Sequence, residues 1–126
     1  AGEASSDVKR KLKKLGYDPD AIRRVAIAMY EGEINMVIHA GGGEATVTID
    51  PQRVDIVLED HGPGIPDVEK AMQAGYSTAP DQVRSLGFGA GMGLPNMKKY
   101  TDEMTIDTEV GKGTTLKMTV LVNRRQ

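Results

Sequence analysis

The sequence predicts an α+β fold, a two-layer sandwich in which helices cover one side of a single sheet. Two stretches near the start carry apolar residues at helical spacing, and later stretches alternate in the manner of strands. The predicted order is helices, hairpin, helices, hairpin. Because a hairpin cannot bury a face alone, the two hairpins should join into one sheet against the helices. We expect residues 1–126 to form a single domain.

The first predicted helix is short and basic and lies within "SSDVKRKLKKLGYDPD". A Ser or Asp residue caps its start, and its apolar positions are Val8, Leu12 and Leu15. Gly16 should end it, since glycine readily adopts the left-handed conformation that follows a helix.

The main helix is predicted within "DPDAIRRVAIAMYEGEINMVIHAGGG". Asp18 or Asp20 should cap its start, and Gly41–Gly43 should end it. Its apolar residues at helical spacing should face the core: Ile22, Val25, Ala26, Met29, Ile34 and Val37.

Strands are predicted where apolar and polar residues alternate. "EATVTID" and "RVDIVLED" form the first hairpin through the turn "DPQR", and "EMTIDTE" and "GTTLKMTVLV" form the second through "VGKG". Between the hairpins, "DHGPGIP" is a predicted loop, and "DVEKAMQAG" and "LPNMKKYTD" are predicted short helices.

Composition excludes several classes of protein. Apolar residues make up 39% of the 126 residues, and the formal net charge is −2, which is typical of a globular domain. No apolar run is long enough to cross a bilayer, so we expect no membrane partner. The slightly negative charge gives no support for direct nucleic-acid binding. The chain has no cysteine, which excludes disulfides and thiolate metal sites and fits a cytoplasmic protein.

A polar strip runs along the main helix. Glu31, Asn35 and His39 are four residues apart and therefore share one face, with Ala28 and Gly32 beside it. A solvent-exposed helix face would show this pattern. An amide oxygen that binds magnesium beside a carboxylate base would show it too. If the strip is a site, Ala28 and Gly32 would let a ligand approach closely.

The loop after the second strand has the pattern D-x-G-x-G. Asp60 ends the strand, and Gly62 and Gly64 follow. An ordinary surface turn fits this pattern. So does a pocket floor, on which a flat ring lies against the glycines and the carboxylate accepts a hydrogen bond from an exocyclic amine.

A glycine-rich segment, "GFGAGMGL", precedes the last predicted helix. It contains Gly87, Gly89, Gly91 and Gly93, and Arg84 lies just upstream. Neither the Walker pattern nor G-x-G-x-x-G matches it. The alternatives are a disordered loop with a solvated arginine, or backbone N–H groups that bind a triphosphate with an arginine that neutralises its end.

Taken in order, these motifs resemble those of the GHKL family, the ATPases with the Bergerat, or histidine-kinase-like, fold. "EGEIN" resembles the first box of that family, "DHGPGI" its D-x-G-x-G box, "GFGAGMGL" its last glycine box and "GKGTT" its closing G-T motif. The resemblance extends from about Asp18 to Val122. It implies a mixed, mostly antiparallel sheet.

Within that family the chain is most similar to bacterial anti-sigma-factor and switch-type serine/threonine kinases. The resemblance implies ATP and Mg²⁺ as ligands, and transfer of the γ-phosphoryl group to a Ser or Thr of a small antagonist or scaffold protein. A sigma factor is a further implied partner, and homodimer formation stays open. Two alternative functions are a nucleotide-dependent module that sequesters a sigma factor or regulator, and a stand-alone ATPase domain. Such kinases usually begin with a strand, which these residues do not show, so we expect the sheet to lack that edge strand.

The resemblance also implies roles for residues near the phosphates. Glu31 would be the general base, Asn35 would hold magnesium, and Arg84 would meet the γ-phosphate. His39 would be a packing or supporting residue. The glycines that would wrap the phosphates are Gly87, Gly89, Gly91 and Gly93.

A second set of implied roles concerns the base of the nucleotide. Asp60 would bind the adenine amine, and Gly62 and Gly64 would lie beneath the ring. Thr114, in the closing motif, would lie close to the ring.

Overall fold

The computed structural model describes residues 2–73 and 93–122. In chain order the described elements are α1 (Glu3–Lys14), α2 (Pro19–Ala40), β1 (Glu44–Asp50), β2 (Arg53–Asp60), α3 (Val68–Ala71), α4 (Gly93–Lys99), β3 (Glu103–Glu109) and β4 (Gly113–Leu121). The predicted α+β fold class is confirmed.

The four described strands form one antiparallel sheet in the order β1-β2-β4-β3. The two hairpins join through β2 and β4, where Ile56 pairs with Met118. The prediction that the hairpins share a sheet is therefore confirmed. Three strands have the predicted bounds, because alternation and the flanking turns both fix where they begin and end.

Helix α2 begins and ends as its sequence predicts. The Asp18 side chain accepts a hydrogen bond of 3.2 Å from the backbone N–H of Ala21, and Pro19 opens the helix. Gly41, with φ of 73°, ends it in the left-handed conformation.

The face of α2 that meets the sheet differs from the prediction. Val37 is 54% exposed, and Ala26 and Ile34 are only half-buried. The buried residues of α2 are Ala21, Ile22, Arg24, Val25, Ala28, Met29, Gly32 and Met36. Ala28 and Gly32, which would flank a ligand if the polar strip were a site, therefore pack inward.

Gly32 explains why α2 lies so close to the sheet. A Cβ added at Gly32 would overlap Cδ1 of the buried Leu58 on β2. The missing side chain lets the helix approach the sheet. The spacing of apolar side chains could not predict this contact, because glycine has no side chain.

Helix α1 packs against α2 and starts earlier than predicted. No side chain within α1 caps its first turn. Instead the Glu33 carboxylate of α2 accepts hydrogen bonds from the backbone N–H groups of Gly2 (3.0 Å) and Ser5 (2.8 Å). A negative charge is favourable at this end of a helix. Leu12 is buried, whereas Leu15, another of the apolar positions of this helix, is 63% exposed.

The core lies between α1, α2 and α4 and the inward face of the sheet. Its largest fully buried side chains are Leu12, Met29, Ile56, Leu58, Met97, Met118, Val25, Val54 and Val120. Within residues 2–73 and 93–122, no helix has the length and apolar character to cross a bilayer.

Candidate nucleotide site

The inward face of the sheet changes from apolar to polar at one end. Leu58 of β2 pairs with Leu116 of β4, and both side chains are buried in the core. Two residues further along, Asp60 pairs with Thr114, and Thr114 pairs with Thr108 of β3. Since side chains two apart on a strand share a face, this polar row continues the core face at its edge.

The loop that follows Asp60 is fixed close to this polar row. The Asp60 Oδ1 atom accepts a hydrogen bond of 3.0 Å from the backbone N–H of Gly62. A Cβ at Gly62 would lie 2.5 Å from the Cβ of Ala40, so only glycine allows the loop to contact the end of α2. Gly64, with φ of 79°, lies against the backbone of Glu109, where a Cβ would be 2.5 Å from the carbonyl oxygen.

The same loop is tied to the end of the second hairpin. The Thr108 hydroxyl accepts a hydrogen bond of 2.9 Å from the backbone N–H of Ile65. The backbone N–H of Gly111 donates one of 2.8 Å to the carbonyl oxygen of Pro63. The glycines of D-x-G-x-G are therefore held between α2 and the turn of the second hairpin.

His39, in the polar strip of α2, interacts electrostatically with Asp60 at the start of this loop. Burial lowers the pKa of His39 below its usual value of 6.5, and the negative charge of Asp60 opposes that shift. The direction of the net shift keeps the imidazole neutral near pH 7. His39 thus lies within electrostatic range of the carboxylate that was predicted to contact adenine.

The other two residues of the polar strip face α4. The side-chain amide of Asn96 donates a hydrogen bond of 3.3 Å to Glu31 Oε2. A Cβ at Gly93, the first residue of α4, would lie 3.7 Å from Asn35 Oδ1. Both Glu31 and Asn35 are half-buried rather than fully solvated.

The surroundings of Asn35 bear on whether this part of the site suits a magnesium ion. Within the described parts of the chain, no three His, Cys, Asp or Glu residues form a cluster that could hold a metal ion. Mg²⁺ characteristically keeps several waters and binds through one or two protein oxygens together with substrate phosphates. A single amide oxygen at Asn35, beside the start of α4, fits this kind of ion.

Of the predicted site residues, Glu31, Asn35, Asp60, Gly62, Gly64, Gly93 and Thr114 lie among the described residues. They form two groups beside the last turns of α2. One group lies near α4 and consists of Glu31, Asn35 and Gly93. The other lies at the edge of the sheet and consists of Asp60, Gly62, Gly64 and Thr114. Arg84, Gly87, Gly89 and Gly91 lie outside the described residues.

Two residues of the site, Thr108 and Asn96, were missed by the sequence analysis. Thr108 is one of many Thr residues in strands, and only the register of β3 with β4 brings it beside Thr114. Asn96 carried a detectable signal, since it lies three residues after the last glycine of the glycine-rich segment.

Residues 1–120 match the family of histidine kinase-like ATPase domains. The chain belongs to this family. The predicted resemblance to the GHKL ATPases is thereby confirmed for nearly the whole chain. Since ATPase domains bind ATP, nucleotide binding follows for this histidine kinase-like ATPase domain.

Two curated relatives of this histidine kinase-like ATPase domain match it over most of both chains. The chain is 34% identical over 106 residues to the serine/threonine-protein kinase RsbT of Bacillus subtilis (strain 168), covering 81% of this chain and 74% of RsbT. It is 32% identical over 111 residues to the anti-sigma F factor of Geobacillus stearothermophilus, covering 83% of this chain and 73% of that protein.

A solved structure agrees with the fold of this ATPase domain. The mycobacterial sensor histidine kinase MprB superposes with a TM-score of 0.57 at 21% sequence identity, covering 80% of this chain and 72% of the other. At that identity the likeness shows the fold alone.

Proposed function

We propose that this chain is an ATP-dependent serine/threonine protein kinase of the anti-sigma regulatory type. It transfers the γ-phosphoryl group of ATP to a Ser or Thr of a small antagonist or scaffold protein. The enzyme class agrees with the name of the relative RsbT, a serine/threonine-protein kinase.

One observation carries this proposal, the arrangement of two polar groups around the end of α2. Glu31 contacts α4 through Asn96, and His39 lies within electrostatic range of Asp60 at the edge of the sheet. About two helical turns separate Glu31 from His39, roughly 12 Å along the axis. An extended nucleoside triphosphate has a length of this order, so its base and its terminal phosphate could reach the two groups together.

The base of the nucleotide belongs at the polar row of the sheet. The backbone N–H of Gly62 donates a hydrogen bond to Asp60 Oδ1, so Oδ2 can accept one from the adenine amine. Thr114, only 7% exposed, pairs with Asp60 on the neighbouring strand. Gly62 and Gly64 let the loop pack against Ala40 and the backbone of Glu109, which holds the loop beside this row.

The phosphates belong at the start of α4. Asn35 would hold Mg²⁺, which, when bound, neutralises phosphate charge, and Gly93 adds a backbone N–H next to it. Gly87, Gly89 and Gly91 would wrap the phosphates, and Arg84 would meet the γ-phosphate.

Glu31 acts as the general base in this proposal. Its carboxylate accepts the proton of the incoming serine hydroxyl while the serine oxygen bonds to the γ-phosphorus and the bond from that phosphorus to ADP breaks. Asn96 donates its hydrogen bond to one oxygen, Oε2, and thereby orients the carboxylate. The other oxygen is left to take the proton.

The substitution Glu31→Gln tests this assignment. Gln has nearly the same shape but cannot accept the proton, so we expect ATP affinity to stay within about threefold and the transfer rate to fall by about 10²- to 10⁴-fold. Calorimetry with ATP and magnesium measures binding, and label transfer from γ-labelled ATP to candidate small antagonist proteins measures the reaction.

The matched control is Glu59→Gln, which removes the same charge from an exposed position on β2. It should leave binding and transfer unchanged. Transfer by Glu31→Gln at the wild-type rate would remove Glu31 from its role as base. A wild-type chain that binds no ATP would overturn the whole proposal.

A second candidate function is sequestration of a sigma factor with nucleotide as an allosteric ligand. It is favoured by relatives that are named anti-sigma F factors. The label-transfer assay separates the two functions, since stable binding of a sigma factor without transfer to any protein supports sequestration alone.

A further inference from the structure

We infer that Thr108 is a positioning residue for the nucleotide, an inference that rests on the proposed function. Its hydroxyl holds the D-x-G-x-G loop in place and sets the direction of the hydrogen bond that Thr114 makes. The sequence motifs of the family include Thr114 in "GKGTT" but not Thr108, which belongs to "EMTIDTE" on β3.

Thr108 lies where three segments of the site meet. Its Oγ1 atom accepts the backbone N–H of Ile65 at 2.9 Å, lies 2.8 Å from Thr114 Oγ1 and lies 3.2 Å from the carbonyl oxygen of Gly113. One half-buried hydroxyl therefore connects the loop, the start of β4 and the end of β3. Asp60 is the third member of the same polar row.

The position of the loop depends on this hydroxyl because Ile65 is partly buried. Its side chain packs against the core, and its backbone N–H donates to the Thr108 hydroxyl. A backbone N–H at a partly buried position has a free-energy cost when its acceptor is removed. Without the Thr108 oxygen, the N–H of Ile65 would have to turn towards water. Gly64, the preceding residue, would then lose its close contact with the backbone of Glu109.

The hydrogen atoms of the two hydroxyls define two arrangements, since each hydroxyl has only one proton to donate. If Thr108 donates to the carbonyl of Gly113, the proton of Thr114 points at Thr108 and Thr114 offers only lone pairs to a ligand. If Thr108 donates to Thr114, the proton of Thr114 is free for a ligand.

Adenine favours the second arrangement. Its exocyclic amine donates, and the ring nitrogen beside that amine accepts. With the amine on Asp60, the neighbouring ring nitrogen needs a donor, directly or through a water molecule. In the second arrangement Thr108 directs its own proton to Thr114, which fixes the Thr114 hydroxyl with its proton towards the ligand, so Thr108 acts on the nucleotide through Thr114 and the loop.

The test compares three variants by calorimetry with ADP and ATP. Thr108→Val keeps the shape and removes the hydroxyl, so we expect nucleotide affinity to fall by about tenfold. Thr108→Ser keeps the hydroxyl and should restore affinity to within about twofold. The control Thr105→Val changes an exposed residue on the same strand and should have no effect.

Kinetics give a readout that a purely structural role would not move. In the label-transfer assay, Thr108→Val should raise KM for ATP and leave kcat nearly unchanged, because Thr108 acts on binding rather than on the transferred phosphate. Wild-type affinity in Thr108→Val would overturn the inference. So would a Thr108→Ser variant as weak as Thr108→Val, since the methyl group would then be the part that matters.

Amide exchange of the ligand-free wild-type chain provides a test that needs no variant to fold and no acceptor protein. The N–H of Ile65 should exchange slowly, as expected for a hydrogen-bonded amide, whereas free exchange at Ile65 would overturn the inference. A chain that protects Ile65 but binds no ATP would instead contradict the proposed function.

Discussion

Breaking the buried ion pair of Arg24 with Asp102 should cost more stability than breaking any surface pair within residues 2–73 and 93–122. Arg24 Nη1 lies 3.1 Å from Asp102 Oδ2, and the side chains are only 10% and 17% exposed. Arg24 Nη2 also donates to the carbonyl of Leu121 at 3.0 Å, and Asp102 Oδ2 accepts the N–H of Leu121 at 2.7 Å. The pair therefore fastens α2 to the start of β3 and the end of β4.

The loss of unfolding free energy on breaking this pair depends on whether the remaining charge keeps other partners. Removal of one partner from a fully buried pair costs about 3–5 kcal/mol, because the other charge stays buried alone. Here the remaining charges keep some partners, since Arg24 also contacts Asp20 and Asp102 still accepts from Leu121. We therefore expect Arg24→Met and Asp102→Asn each to lower the free energy of unfolding by about 2–3 kcal/mol.

The double variant should cost much less than the sum of the two single variants. Once both charges are gone, neither is stranded, so we expect a total of about 3 kcal/mol and a coupling energy of about 2 kcal/mol. Urea unfolding followed by circular dichroism measures these values. With a slope of about 1–3 kcal/mol per molar, each single variant should shift the midpoint by roughly 0.7–3 M.

An exposed pair on the outer face of the sheet provides the control. Arg53 Nη2 lies 2.7 Å from Asp55 Oδ1, a shorter distance than in the buried pair, but the side chains are 46% and 34% exposed. Solvent screens such a pair, so Arg53→Met and Asp55→Asn should hardly move the midpoint. Equal shifts for the exposed and buried pairs, or additive effects of Arg24→Met and Asp102→Asn, would refute the claim that burial rather than distance sets the strength.

Two further predictions concern the site. Gly62→Ala would bring a Cβ to 2.8 Å from the Cα of Ala40, so unfolding should become easier by about 1–3 kcal/mol and ATP should bind more weakly, as measured by urea titration and calorimetry. Gly93→Ala, whose Cβ would meet Asn35 only at ordinary contact distance, should fold normally as the matched control. His39→Gln should flatten the pH dependence of stability below pH 6.5. Burial lowers the pKa of His39 in the folded wild type, so the unfolded chain takes up the proton first as the pH falls. The wild type therefore loses stability in this range, and a variant without the imidazole should lose less. Urea midpoints at a series of pH values down to about 5 check this sign, and equal slopes for wild type and variant would contradict it.

The strands could be predicted from the sequence because local signals agree there. In β2, the buried residues Val54, Ile56 and Leu58 alternate with more exposed residues, and the adjacent turn fixes where the strand begins. The rotation of α2 could not be predicted in the same way. Val37 is more apolar than Gly32, yet Gly32 faces the sheet, because close approach matters more there than the area that a side chain buries.

Some site residues could likewise be predicted from local sequence signals, and others could not. Asp60 and its glycines form a local motif and could be singled out by pattern. Thr108 and Asn96 gain their positions from strand pairing and helix docking, which depend on residues far apart in the sequence. Single polar residues of this kind acquire meaning only through their tertiary neighbours.

The contact between Gly32 and Leu58 determines how both halves of the site face each other. Because each residue of a helix turns by about 100°, fixing Gly32 against the sheet fixes the direction of every other residue on α2. Glu31 then points to α4, where Asn96 meets it, and the last turn of α2 brings Ala40 onto Gly62. A larger residue at position 32 would lift or rotate the helix and would move the proposed base relative to the adenine loop. Gly32 thus acts on the site through packing against Leu58 rather than through ligand access.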